Sequence, residues 1–139
     1  MNITDQQMLV DGNLVGAGNG QTYEVVNPAT EEVVGTAPDA QVEDVERAIA
    51  AARRAFDETD WSTDVELRRR CLTQLQNNLR KVADEIRPVL TAESGMPLAL
   101  SFPMGLDGPV ESLGYWPELL STYEFERSLP RKQIMGGQS

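Results

Sequence analysis

Apolar residues recur at Val42, Val45, Ile49, Ala52 and Phe56, in alternating steps of three and four. That spacing puts all five on one stripe of a helix, so the fold has to be built around at least one amphipathic helix. Ala48, Ala51 and Ala55 widen the stripe and let another element approach closely. Asp39 suits the N-cap position, and Glu43, Asp44 and Glu46 suit the positive end of a helix dipole, so the pattern predicts a helix over 39–58. Leu72, Leu75, Leu79, Val82 and Ile86 repeat the same steps further on. Thr63-x-x-Glu66 fits a capping box ahead of them, in which each side chain satisfies the other residue's free N–H. Pro88 should kink or end this second helix near Arg87, with Gly95 as a C-terminal stop and Pro97 opening the next segment.

Residues 8–38 carry strand and turn signals instead. Asp11-Gly12, flanked by Met8 to Val10 and by Leu14-Val15, is a two-residue hairpin signal. Gly16 to Gly20 reads as a turn, Thr22 to Val26 as a β-prone run stopped at Asn27-Pro28, and Val33-Val34 as a short strand stopped by Pro38. This zone is expected to be a small antiparallel β meander. Residues 97–126 keep helical spacing at Leu113, Trp116 and Leu120, but Pro103, Gly105, Gly108, Pro109, Gly114 and Pro117 break it, so broken helix is expected. From 88 to 126 there are six acidic residues and no Lys or Arg. The tail, 127–139, is basic and then Gly-rich, and it reads as a chain cut short. The expected architecture is an α+β fragment: a meander over 8–38, two to three helices over 39–126, and the tail.

The sequence contains no histidine, which removes His-based general bases, Ser/His and Cys/His dyads, and His-ligated metals. Cys71 is the only cysteine, so no internal disulfide can form, and a reducing compartment is the natural reading. No apolar stretch is long enough to span a bilayer, and residues 1–7 show no signal-peptide pattern; the chain is expected in the cytoplasm. Twelve Lys and Arg against 22 Asp and Glu give a net charge of −10, which argues against nucleic-acid and membrane partners.

Four clusters could carry chemistry. Gly16-x-Gly18-x-Gly20 has the wrong spacing for a dinucleotide loop and leads into a β-prone run, where a phosphate loop must open a helix; it reads as a hairpin turn. Cys71 follows Arg68-Arg69-Arg70, yet it sits on the apolar flank of the second helix with no base available, and reads as a buried inert thiol. The three arginines fan apart by about 100° each on a helix, so a solvated face or interface ion pairs is favoured over a phosphate clamp. Asp107 and Glu111, four residues apart, read as exposed acidic surface in preference to a hard-cation site.

Several segments taken in order resemble one family. Residues 23–35, Tyr-Glu-Val-Val-Asn-Pro-Ala-Thr-Glu-Glu-Val-Val-Gly, resemble the opening signature of NAD(P)-dependent aldehyde dehydrogenases, a strand running into an Asn-Pro-Ala-Thr turn. Residues 42–56, Val-Glu-Asp-Val-Glu-Arg-Ala-Ile-Ala-Ala-Ala-Arg-Arg-Ala-Phe, come at the family's spacing and are similar to its first helix. Trp61-Ser62 and the Arg-rich start of the second helix also fit. Glu93-Ser-Gly95-Met-Pro97 resembles the Glu-x-Gly-Lys-Pro corner, with Met96 in place of lysine.

The resemblance implies the start of an α/β, Rossmann-like NAD-binding domain, with the tail entering an oligomerisation hairpin. It implies an enzyme that oxidises an aldehyde to a carboxylic acid with NAD or NADP, and a homo-oligomer when complete. The family's catalytic cysteine, general-base glutamate, oxyanion-hole asparagine and nucleotide-contacting units have no counterpart here, and Cys71 matches none of them. No catalytic or cofactor-binding residue is therefore expected, and the isolated chain is expected to be inactive and to bind no cofactor. Some family members hold a monovalent cation with a backbone carbonyl and a helix aspartate; by resemblance those positions are Val26 and Asp107. Two alternatives stand beside this reading. One is a truncated, non-catalytic interaction module that exposes the apolar face of helix 39–58. The other is an unrelated acidic helical binding domain, which requires the ordered match to be chance.

Overall fold

The computed structural model describes residues 6–129. β1 (Met8–Val10) and β2 (Asn13–Val15) form an antiparallel hairpin in which Met8 faces Val15 and Val10 faces Asn13. Asp11 and Gly12 both have positive φ, 53° and 75°, the backbone that a two-residue turn needs to match the right-handed twist of its strands. β3 (Thr22–Val26) and β4 (Val33–Pro38) form a second antiparallel pair, with a register shift between Val25 and Val26. Their connection is the Asn-Pro-Ala-Thr turn. Asn27 Oδ1 accepts from the Ala29 N–H at 2.9 Å, and the Asn27 carbonyl accepts from the Glu31 N–H at 2.8 Å. The expected strands are thus present, but as two separate pairs and not one continuous meander. Between them, the Gly18 N–H donates to the carboxylate of Asp44 on the first helix, and ahead of β1 the Gln6 N–H donates to the Thr36 carbonyl of β4 at 3.0 Å.

α1 (Val42–Glu58) starts three residues later than expected, with Gln41 and not Asp39 at the N-cap. Asp39 is still held by the sheet, its N–H donating to the Gln21 carbonyl at 2.9 Å. Asp44 reaches back to the Gln41 N–H at 3.0 Å and so fixes the helix start there. The predicted stripe is present and faces solvent, with Val42 69% and Ile49 62% exposed. A single 3₁₀ turn (Asp60–Ser62) leads to α2 (Val65–Ser94). The α2 cap is Asp64, whose carboxylate accepts from the Leu67 N–H at 2.8 Å; Thr63 is one residue too early, and Glu66 is taken by Arg69 at 2.5 Å.

α2 does not end near Arg87, one of the two outcomes that Pro88 suggested, but continues through Pro88 to Ser94. Proline removes one helical N–H, and the neighbouring Arg87 is anchored to Ser101 and Asp107 on the packed segment beyond. Gly95, with φ of 66°, ends α2 in the left-handed conformation as expected. The broken helix beyond it consists of α3 (Leu98–Leu100), a π turn (Ser101–Gly105), α4 (Asp107–Ser112) and α5 (Tyr115–Leu120). These pieces pack along α2, and Leu106 and Val110 are buried between them. Gln76, buried on α2, donates to the carbonyls of Val110 at 3.0 Å and Glu111 at 3.1 Å. Of the 127–139 tail, residues 130–139 and with them the expected hairpin lie outside the described residues.

Candidate functional site

Two buried charged side chains organise the molecule. The first is Asp44, 3% exposed. Its carboxylate accepts from the N–H of Gln41 at 3.0 Å, from the N–H of Gly18 at 3.1 Å and from Arg47 Nη2 at 2.5 Å. The backbone N–H of Gln41, then that of Gly18, hold its carboxyl below the ordinary value of 3.8. The Gly16–Gly20 stretch therefore points a glycine N–H at a carboxylate of this chain, and leads into β3 and not into a helix. A pyrophosphate brought there would meet a fixed negative charge, so these residues do not fit a dinucleotide.

Asp44→Ala is expected to lower the thermal midpoint by roughly 5 °C at neutral pH, because a helix cap and a loop anchor are lost together. A depressed folded-state pKa contributes stability that is complete above the ordinary carboxyl value and is lost as pH falls through the folded one. The gap between wild type and variant should therefore be constant above that value of 3.8 and shrink below it. Thermal unfolding across an acid pH series reads this directly, and a gap that never shrinks would count against the assignment.

The second is Arg87, 7% exposed. Its Nη1 donates to Ser101 Oγ at 3.2 Å, and its Nη2 donates to Asp107 Oδ1 at 2.9 Å and Oδ2 at 3.2 Å. The guanidinium also lies over the Phe102 ring, 3.8 Å from its centroid. Two turns back on α2, Arg80 forks onto Glu111, with Nε 2.8 Å from Oε1 and Nη2 2.5 Å from Oε2. That hydrogen bond from Arg80 lowers the Glu111 carboxyl below its ordinary range. Asp107, 39% exposed, and Glu111, 61% exposed, stand at the surface as expected, and each carboxylate is paired with an arginine of α2. Val26, the other position implied for a cation, is the last residue of β3 and pairs with Val33. Among the described residues, no three His, Cys, Asp or Glu side chains converge as a metal cluster.

The remaining candidates resolve simply. Cys71 is half-buried, more open than the buried thiol expected, because α2 is covered there on only part of its circumference. Arg68, Arg69 and Arg70 do fan apart: Arg69 pairs with Glu66, Arg68 lies 5.0 Å from the Phe125 ring centroid, and Arg70 is exposed. A groove of about 630 Å³ beside Arg68 is lined by Trp61, Leu72, Trp116, Leu120 and Phe125, among others. Sequence reasoning missed this groove, although the helical spacing of Leu113, Trp116 and Leu120 was its signal.

Comparison with known proteins gives the same outline. The model of the aldehyde dehydrogenase family matches residues 15–135. The chain is 34% identical over 134 residues to a 3-succinoylsemialdehyde-pyridine dehydrogenase from Pseudomonas, with 94% of this chain and 27% of that enzyme covered. A solved aldehyde dehydrogenase from Bacillus cereus, in a mutant form, superposes with a TM-score of 0.84 at 25% identity, over 93% of this chain and 26% of that one. The NAD+ complex of the Bacillus cereus enzyme gives a TM-score of 0.79 at 27% identity, covering 85% and 24%. The chain thus spans about a quarter of the length of these proteins and corresponds to their N-terminal part. With the strand–turn–helix order, the α2 corner and the family model all in agreement, the chain belongs to the aldehyde dehydrogenase family.

Proposed function

We propose that this chain forms the opening part of an enzyme that oxidises an aldehyde to a carboxylic acid with NAD or NADP. The observation that carries the reading is the family match over 15–135, which includes the β3–β4 hairpin and both long helices. In the complete enzyme a bound NAD or NADP would supply the hydride acceptor. The residues present here do something different. Asp44 ties the β strands to α1, and Arg80 and Arg87 tie residues 98–120 to α2, so the segment is a scaffold against which a nucleotide fold can pack. The reading extends to a homo-oligomer and to a cytoplasmic location, the latter supported by the lone Cys71. The charge of −10 supports a protein without nucleic-acid or anionic-membrane partners. Among the described residues, no helix is long and apolar enough to cross a membrane.

The purified 139-residue chain is expected to form no NADH when given an aldehyde and NAD; aldehyde-dependent NADH formation would overturn the assignment of the chemistry to residues outside it. Reading the coding DNA past Ser139 tests the wider proposal. An open frame reaching a Gly-rich strand–loop–helix and a later cysteine supports it. A stop codon favours the second reading, a non-catalytic interaction module. The exposed Val42, Val45, Ile49 and Phe56 stripe of α1 is the observation behind that alternative, since an apolar face of that kind drives self-association or partner binding.

A further inference from the structure

A monovalent cation at Val26 and Asp107, as the family resemblance implied, would serve to place positive charge on the Asp107 carboxylate. In this chain that charge is already supplied from within. Arg87 Nη2 straddles both Asp107 oxygens, at 2.9 and 3.2 Å. The other end of the guanidinium is held by Ser101 Oγ at 3.2 Å, and its face lies 3.8 Å from the centre of the Phe102 ring. Ser101 is 0% exposed and the Arg87 side chain 8%, so the cation cannot swing into water to make room for another. The π turn carries the chain around it, from Ser101 over Phe102 to Asp107, and the Leu106 N–H closes that turn on the Ser101 carbonyl at 2.8 Å. Arg87 is also the last Lys or Arg before Arg127, so the acid-only stretch has no cation of its own. Asp84 comes within 3.9 Å of the same nitrogen, but it stands in solvent, where water screens it.

We propose that Arg87 is a built-in cation that takes the place of a monovalent metal ion at Asp107 and makes the fold indifferent to potassium and sodium. The residues present do not fit the ion. A second positive charge bound to Asp107 would sit in contact range of a guanidinium that cannot retreat, at a partly buried position where like charges repel more strongly than in water. This inference concerns the fold and not the chemistry, so it stands or fails separately from the proposed oxidation of aldehydes.

The test is thermal unfolding of the whole chain in potassium, sodium and choline chloride at matched ionic strength, choline being too large to be coordinated. The three midpoints are expected to agree within about 1 °C, because an ion that does not bind the native state adds nothing to its stability. A saturable rise in potassium or sodium over choline would overturn the proposal. Arg87→Met removes the internal cation, and its midpoint is expected to become dependent on potassium or sodium. A folded Arg87→Met protein that stays indifferent would show that Arg87 does not occupy the ion's place. Arg87→Lys keeps the charge and should stay indifferent to both salts; a potassium or sodium response in this variant also refutes the proposal, and it keeps the test open if Arg87→Met does not fold.

Discussion

Gly108→Ala is expected to cost about 3 kcal/mol or more, enough to lower the thermal midpoint by roughly 10 °C or to prevent folding altogether. Gly108 is the second residue of α4, just beyond the π turn. A methyl group there would come within 2.1 Å of the Pro103 carbonyl oxygen and 3.2 Å of its carbonyl carbon. The obstacle is backbone, so no rotamer change relieves it, and the turn cannot open without breaking the hydrogen bond from Leu106 to Ser101. Gly16→Ala is the matched control. Nothing lies within 4 Å of its added methyl and its φ is not positive, so its midpoint should stay close to that of wild type. If Gly108→Ala instead melts within about 2 °C of wild type, the π turn does not press on α4.

Arg87→Met should cost about 2–3 kcal/mol, read as a shift in the urea midpoint at unchanged slope. Methionine keeps most of the aliphatic volume on α2 but takes away the donors to Ser101 and Asp107. The loss falls short of the roughly 3–5 kcal/mol typical of breaking a fully buried pair for two reasons. Asp107 is 39% exposed and recovers water, and the Ser101 hydroxyl still donates to the Leu98 carbonyl at 2.6 Å. Asp107→Asn retains an acceptor and should cost about 1 kcal/mol. Because the two residues share one contact, the double variant should lose less than the two single losses combined. Strict additivity would mean that the pair contributes nothing jointly.

What the sequence revealed depended on range. The α1 and α2 stripes were legible because helical periodicity is written in residues three and four apart. The turns at Asp11-Gly12 and Gly95 were legible because glycine and its neighbours specify backbone angles locally. The helix starts differ from expectation by one to three residues, since Asp39 and Gln41, or Thr63 and Asp64, are nearby polar candidates that only a folded neighbour ranks. Pro88 shows the same limit at larger scale, a local breaker that does not end the helix in which it sits. The acid-only stretch was the least legible, because its partners Arg80 and Arg87 lie on a different element, 31 and 20 residues upstream of Glu111 and Asp107. Membership of the family was legible because its opening signature is an ordered series of local motifs. The groove beside Arg68 was not, because its walls come from several elements far apart in the chain.

The thirty-residue length of α2 also has a meaning in time. During synthesis, both hairpins and α1 leave the ribosome first and can close on themselves, since each hairpin joins strands that are sequence neighbours. Residues 98–120 have no surface to dock on until all of α2 has emerged, and the bond from Gln76 to Val110 spans 34 residues. Closing a loop of that size is only modestly harder than closing a short one, because each doubling of length adds about 0.6 kcal/mol. Docking is therefore paced by the arrival of the chain more than by the cost of the search. The ion pairs of Arg80 and Arg87 come late in the order of emergence, and a nascent chain stalled before Asp107 would carry two arginines on α2 still waiting for their acids.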